Sequence, residues 1–204
     1  MHHKRSNILV VLIAPSGGGK TTIIRRLLTL KPNLEYSVSF TTRQPRGAEQ
    51  NKVDYHFITE AEFRQKIADD DFIEHALVHN HFYGTSKKYI QERLDDGKDV
   101  IMDIDVQGAK QLLVSGFPAV TIFILPPTLN ELGQRLQNRK TDTEEVINLR
   151  LRNAREEIKK IKEFDYLVIN DTVDQAVEAV GNIMDSERNR VDRYRNTDVI
   201  FFGG

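Results

Sequence analysis

No cysteine occurs anywhere in the chain, which excludes disulfides, thiolate nucleophiles and Cys-type zinc or iron–sulfur centres. That absence fits the cytosol, and a cytoplasmic protein is the expectation. An excess of charge is also missing. Lys and Arg number 29 against 30 Asp and Glu, a net charge of −1, so nothing attracts nucleic acid globally and anion binding must come from local clusters. No apolar run approaches the ~20 residues of a membrane span. Neither nucleic acid nor membrane is an expected partner. Met1-His2-His3-Lys4-Arg5 and the apolar residues after it have the charge order of a secretory signal. The run leads directly into Pro15 and Lys20 with no small-x-small cleavage site, so it reads as a core strand. Internal repeats and low-complexity linkers are absent too. With 204 residues, 39% hydrophobic and 29% charged, the chain can hold one substantial core but hardly two independent domains.

What is present is concentrated near the start. Ile8–Ala14 is an apolar run that breaks into Pro15-Ser16-Gly17-Gly18-Gly19-Lys20-Thr21-Thr22. The small residues Ser16–Gly19 let backbone N–H groups turn inward as an anion nest. Lys20 can reach β/γ-phosphates, and the Thr21 hydroxyl can ligate Mg²⁺. The sequence from Thr21 onward reads as a helix whose N-terminus points at the same anion. The span Ala14–Thr22 is therefore the expected ATP phosphate site. Ala14 stands where a leading glycine is usual, which predicts a somewhat stiffer loop with the same function.

Further apolar runs at Val100–Ile104, Val120–Leu125 and Tyr166–Ile169, with an alternating segment at Glu35–Phe40, read as strands. Helical patterns lie between them at Thr22–Leu30, Gln107–Val114, Leu129–Asn138 and Thr172 to about Arg195. Continuous apolar strands alternating with helices predict a parallel sheet covered on both faces. Thr128–Glu131 and Thr172–Gln175 fit the capping-box pattern. Two stretches break the alternation. Residues 36 to about 96 carry short strand-like segments, Val53–Ile58 and Phe72–Val78, around a helix capped at Thr59 with Glu62 at N3, and read as a small antiparallel insert. Residues 127 to about 163 are charged and helical. Val146, Leu149, Asn153, Ile158 and Ile161 give the second helix there only a narrow apolar stripe, as in a mobile lid.

A phosphate loop alone does not separate a motor, a switch GTPase and a metabolic kinase. Within the insert, Arg43 and Arg46 flank a proline and offer a pair of guanidinium forks suited to a phosphate monoester. Tyr55 and Tyr83 can add hydroxyl donors. A lone arginine is ordinarily solvated and a lone tyrosine ordinarily packing, but four such residues share one insert beside a phosphate loop. Asp103 closes a buried strand at the end where open α/β sheets place ligand chemistry, and can order Mg²⁺ waters. Asp105 lies two residues on and can reach the same cleft.

The motifs APSGGGKTT, SVSFTTRQPR, DYHF, FIE, YGT, DIDVQG, RLQNRKTDTEE and VIND, spread almost end to end, resemble guanylate kinase. The resemblance implies a three-layer P-loop NTPase fold with a parallel sheet, an antiparallel nucleoside-monophosphate-binding insert and a helical lid. It implies a core at 1–34, 97–126 and 164–204, the insert at 35–96 and the lid at 127–163. It also implies ATP-dependent, Mg²⁺-dependent phosphorylation of GMP, with dGMP as a second acceptor, in purine nucleotide metabolism. Ser39, Glu74, Thr85 and Asp105 would contact guanine. Arg43, Arg46, Tyr55 and Tyr83 would hold the GMP phosphate. Arg135, Arg139 and Arg150 would close over the ATP phosphates, catalysing transfer with Lys20 and Arg43, and Asn170 would lie by the adenine. Three departures are local: Gly47-Ala48 reverses the usual order, Asn51-Lys52 replaces an Asn-Gly turn, and Lys140 stands where glycine usually follows the lid arginine. A different small-acceptor kinase is disfavoured by the guanine-facing carboxylates. A non-catalytic interaction module is disfavoured by Lys20, Thr21 and the three lid arginines. The oligomeric state, monomer or homo-oligomer, is not specified.

Overall fold

The computed structural model describes residues 6–78, 80–138 and 143–194. Its first half runs β1 (Leu9–Ile13), α1 (Lys20–Leu30), β2 (Leu34–Tyr36), β3 (Phe40–Thr41), β4 (His56–Phe57), α2 (Glu60–Ala68), β5 (Phe72–Val78), β6 (His81–Ser86) and α3 (Lys87–Asp95). The second half runs β7 (Asp99–Ile104), α4 (Val106–Ser115), β8 (Val120–Leu125), α5 (Leu129–Gln137), α6 (Glu144–Ile158), β9 (Tyr166–Ile169) and α7 (Val173–Arg188).

The apolar runs form a five-stranded sheet ordered β2-β7-β1-β8-β9, with every neighbouring pair parallel. Both faces are covered, and β1 shows how. Val10 and Leu12 pack with Ile23, Ile24 and Leu27 of α1 and with Val177, Val180 and Met184 of α7. Leu9, Val11 and Ile13 pack on the other side with Ile90 of α3 and Ala109 and Leu112 of α4. A strand buried on both faces must be apolar at every position, which is why Ile8–Ala14 reads as a continuous run. Each such Val, Leu or Ile contributes about 1.5–3 kcal/mol on full burial.

The insert forms a second sheet, ordered β4-β3-β6-β5. It is mixed rather than antiparallel: β3 pairs antiparallel with β6 but parallel with β4. The 42–55 connection is long enough to bring the chain back in the same direction, which a hairpin cannot do. The expected strand Glu35–Phe40 is split. Leu34–Tyr36 belongs to the large sheet and Phe40–Thr41 to the small one, with Ser37 and Val38 buried between them. That crossing sets Ser39 at the junction of the sheets. The expected strand Val53–Ile58 shrinks to His56–Phe57, because Lys52 takes a left-handed φ of +67° and turns the chain.

Strand β6 and helix α3 had no sequence signal, since one runs into the other without a turn residue. Ser86 alone marks the boundary, its hydroxyl accepting from Tyr89 N–H. The capping box at Thr59 is complete, with Thr59 Oγ1 accepting from Glu62 N–H and Glu62 accepting from Thr59 N–H. Thr128 and Thr172 cap their helices in the forward direction, accepting from Glu131 and Gln175 N–H. The Glu131 carboxylate turns instead to Arg135.

Candidate active site

Strand β1 delivers the chain into the loop 14–19. Gly17 and Gly19 hold φ of +93° and +98°, values that exclude ordinary side chains. A Cβ at Gly18 would lie 2.7 Å from the Ala14 methyl. Alanine at 14 thus makes glycine at 18 obligatory. Lys20 Nζ donates to Ala14 O at 2.8 Å, folding over the loop. The N-terminus of α1 has no side-chain cap and no acidic residue in its first turn, so its N–H groups and positive dipole end are left for an anion. Thr21 and Thr22 are exposed there.

Asn170 sits against the phosphate loop. Its side chain is buried, 2% exposed, and Nδ2 donates to Gly18 O at 2.9 Å. It braces the loop from beneath, because a buried carbonyl needs a donor.

Ser39, Tyr55, Glu74, Tyr83 and Asp105 line a single cavity of about 650 Å³ between the two sheets, together with Asp103. On its wall Glu74 is largely buried, and burial pushes its carboxyl up to about 6. Asp105 reinforces that shift, and a hydrogen bond from Thr85 opposes it. The Thr85 hydroxyl donates to Glu74 Oε1 at 2.7 Å and is itself buried. Its single proton is committed, so Thr85 orients Glu74 and can only accept from a ligand. Gly108 admits Glu74, since a Cβ there would meet Glu74 Oε2 at 3.3 Å. Asp105 is the N-cap of α4. Its Oδ1 accepts from Gln107 and Gly108 N–H, and the carboxylate still borders the cavity.

Behind Tyr55, Arg43 is buried, 6% exposed, with its guanidinium 5.4 Å from the Tyr55 ring and forked onto Glu49. Tyr55 and Tyr83 pack edge to face, with centroids 5.9 Å apart. Arg46 is exposed on the adjoining turn. Asp103 pairs in register with Leu12 of β1, close to the phosphate loop, and its Oδ1 accepts from Tyr36 OH at 2.9 Å.

Helices α5 and α6 sit on the same loop. A Cβ at Gly17 would meet Leu136 and Leu132 of α5 at 3.0 and 3.1 Å. Arg150 of α6 donates to Ser16 Oγ at 3.1 Å, and Arg135 donates to Asn170 O at 3.0 Å and to Glu131. Arg135 therefore has a local acid partner in Glu131. Arg139 and Lys140 lie outside the described residues. The apolar stripe of α6 is also shifted: Ile147, Leu151 and Ala154 pack with α5, while Val146 and Leu149 are 37% and 50% exposed. Among the described residues four form that buried cluster, with Leu129 and Leu151 partly buried against it, so the burial there is thin and on a different face.

The sequence profile described as Guanylate kinase matches residues 6–187. This chain belongs to the guanylate kinase family. A guanylate kinase of Clostridium perfringens (strain SM101) is 43% identical over 195 residues, 96% of this chain and 90% of the relative. One of Dechloromonas aromatica (strain RCB) is 48% identical over 170 residues, 83% and 84% of the two chains. The crystal structure of guanylate kinase from Anaplasma phagocytophilum superimposes with a TM-score of 0.76 at 30% identity, covering 99% of this chain and 97% of that one.

Within this guanylate kinase family member, three site residues escaped sequence reasoning. Tyr36 orients Asp103 from the end of β2. Glu49 engages Arg43 across the insert loop; the only signal was an acid six residues downstream. Glu157 of α6 is half-buried within electrostatic reach of Lys20 and Asp105, and burial, then Asp105, raises its carboxyl above the usual range. No helix among the described residues is long and apolar enough to cross a membrane.

Proposed function

We propose that this chain transfers the γ-phosphoryl group of ATP directly to GMP, and to dGMP, giving the diphosphate and ADP. The observation that carries the reading is the polarity of the insert cavity. Glu74 and Asp105 line it together with Ser39, Tyr55 and Tyr83, the buried Arg43 packs against Tyr55, and Asp103 on its wall pairs in register with Leu12 of β1, the strand that leads into the phosphate loop. Guanine offers N1–H and an exocyclic amine as donors, which ionised Glu74 and Asp105 can accept. Adenine would set a lone pair against a carboxylate, an uncompensated buried charge that costs several kcal/mol.

In this reading Ala14–Thr22 cradle ATP. Lys20 carries three protons on a rotatable stem and can turn from Ala14 O to a phosphate oxygen. Arg43, Arg46, Tyr55 and Tyr83 hold the acceptor phosphate, whose own oxyanion attacks, so no general base is assigned. Arg135, Arg139 and Arg150 neutralise charge on the transferring group, and closure of the lid excludes water that would hydrolyse ATP. The division into core, insert and lid follows: 35–96 moves the acceptor and 127–163 moves the arginines against the loop.

The residues fit Mg²⁺. The donors near the loop are hard oxygens, the exposed Thr21 hydroxyl and the Asp103 carboxylate, the latter acting through water. No cluster of three or more metal-ligating side chains forms among the described residues, in keeping with an ion that relies on one or two protein groups plus substrate phosphates. When bound, Mg²⁺ would neutralise charge between β- and γ-oxygens. A cytoplasmic setting fits a chain without cysteine.

The test is turnover of ATP with GMP, dGMP, AMP, UMP, CMP and ribose phosphates as acceptors. GMP should exceed AMP by about 10⁴-fold in kcat/KM, the discrimination that polar matching can reach. Equal use of AMP and GMP would refute the base assignment.

A further inference from the structure

The insert holds Arg43 by a carboxylate that no substrate role explains. Arg43 Nη1 and Nη2 donate to Glu49 Oε2 and Oε1, both at 2.9 Å, and Nη1 also donates to Gln44 O at 2.8 Å. A guanidinium has five N–H groups in a planar fork. Those three bonds consume its outer end. The remaining edge, Nε–H beside the second Nη2–H, is the geometry for side-on, bidentate binding of a phosphate. Tyr83 lies close enough to Arg43 to raise its basicity further, after Glu49.

Glu49 is itself held. Its Oε2 accepts from Arg46 N–H at 2.8 Å, and its own N–H donates to Arg46 O at 3.0 Å. This closed turn depends on Gly47, whose φ is +55°. The reversed order Gly47-Ala48 therefore puts glycine where the left-handed residue is needed. The carboxylate is anchored by its own backbone as well as by Arg43. A mere stand-in for an absent anion would need no such turn.

We propose that Glu49 is a positioning residue. It grips the outer edge of Arg43 so that the side edge faces the nucleotide 5′-phosphate, and it stays in place when the nucleotide binds. This rests on the reading that Arg43 holds the acceptor phosphate.

The test compares GMP with guanosine, which lacks the phosphate, as ligands of the full chain. In Glu49→Gln the neutral amide keeps the volume and loses the charge-assisted fork. GMP should bind about tenfold more weakly, the scale of one lost charged hydrogen bond, with guanosine affinity close to wild type. Gly47→Ala strains the turn without altering charge, since nothing lies within 4 Å of the added methyl. It should reproduce the same GMP-selective loss. Unchanged or tighter GMP binding in Glu49→Gln overturns the proposal, the tighter case making Glu49 a competitor for the phosphate seat. Parallel weakening of guanosine also overturns it, because Glu49 would then only hold the insert's shape. Arg43→Lys separates the layers. Loss of GMP affinity there with none in Glu49→Gln removes the positioning role alone, whereas no loss in either removes the phosphate seat itself.

Discussion

The loop after β1 and the 42–55 loop of the insert both serve phosphates in the proposed reaction, yet they keep their shapes by different means. The first is a contiguous run of backbone. Glycine occupies its left-handed positions at 17 and 19, and a helix N-terminus follows directly. The second is assembled from side chains. Arg43 is fixed by Glu49 and packed against Tyr55 and Phe57, and the loop's turns put Gly47 at one left-handed position and Lys52 at another. A site made of consecutive N–H groups needs only local sequence. A site made of side chains needs the chain to return to the same place several times, and each contribution can be altered separately.

Lys20 gives the largest test of that contrast. It stands on the backbone-built loop but contributes through its ammonium, which is bonded to Ala14 O at 2.8 Å. Lys20→Ala should lower kcat by about two orders of magnitude or more, since preorganised charge at the transferring group is worth that much. The nucleotide-free thermal midpoint should stay near wild type, because the loop's glycines and Asn170 hold its shape. A large fall in midpoint would mean that the lysine braces the loop, making the two sites alike.

The same contrast governs what sequence could reveal. The central strands were legible because burial on both faces forces uninterrupted apolar runs, and β8 matches its expected bounds residue for residue; the edge strand β9 matches too, although Leu167 and Ile169 are about half exposed. The phosphate loop was legible because its chemistry is consecutive. Tyr55, Tyr83 and Asp105 were singled out from their residue types and spacing, Ser39 and Glu74 by resemblance, and the structure brings all five to one cavity. Roles that depend on a partner's single proton or spare oxygen were not legible. Thr85 gives its proton to Glu74, Asn170 turns inward to Gly18 O, and Asp105 spends one oxygen on capping α4. The face of α6 was misjudged because Val146 and Leu149 are apolar yet point away from α5, and period alone does not say where the neighbouring helix lies.

Glu74 sharpens the comparison at the base end through pH. Its carboxyl is pushed up to about 6, chiefly by burial. The folded value lies above the unfolded one, so its contribution to stability is present in acid and is lost as pH rises through about 6. Ligand binding runs the other way, because guanine's donors need the ionised form. Guanosine affinity should be flat above pH 7 and fall several-fold by pH 5. Guanosine is the right probe because a phosphate monoester itself titrates near pH 6. Glu74→Gln should bind guanosine more weakly at neutral pH and show no acid limb. An acid limb that survives in Glu74→Gln assigns the titration to another group.

The smallest expected effect concerns Lys52, where the insert departs from the glycine-built style of the other loop. Lys52 is exposed and holds φ +67°, with its N–H donating to Tyr55 O at 2.8 Å. A left-handed residue with a Cβ is strained by about 1–2 kcal/mol, and glycine removes that strain while losing about 0.5–1 kcal/mol of unfolded-state entropy. Lys52→Gly should therefore stabilise the fold by about 0.5 kcal/mol, a rise of about 1–2 °C in thermal midpoint for a chain of this size. The substitution also removes a positive charge near His56, whose imidazole is held below its ordinary value first by burial and then by Lys52 and Lys66. An NMR titration should show His56 shifting upward, with GMP turnover unchanged. If the midpoint falls instead, the lysine side chain is stabilising the 51–55 turn by more than its backbone strains it, and the insert loop is held by side chains here as well as at Arg43.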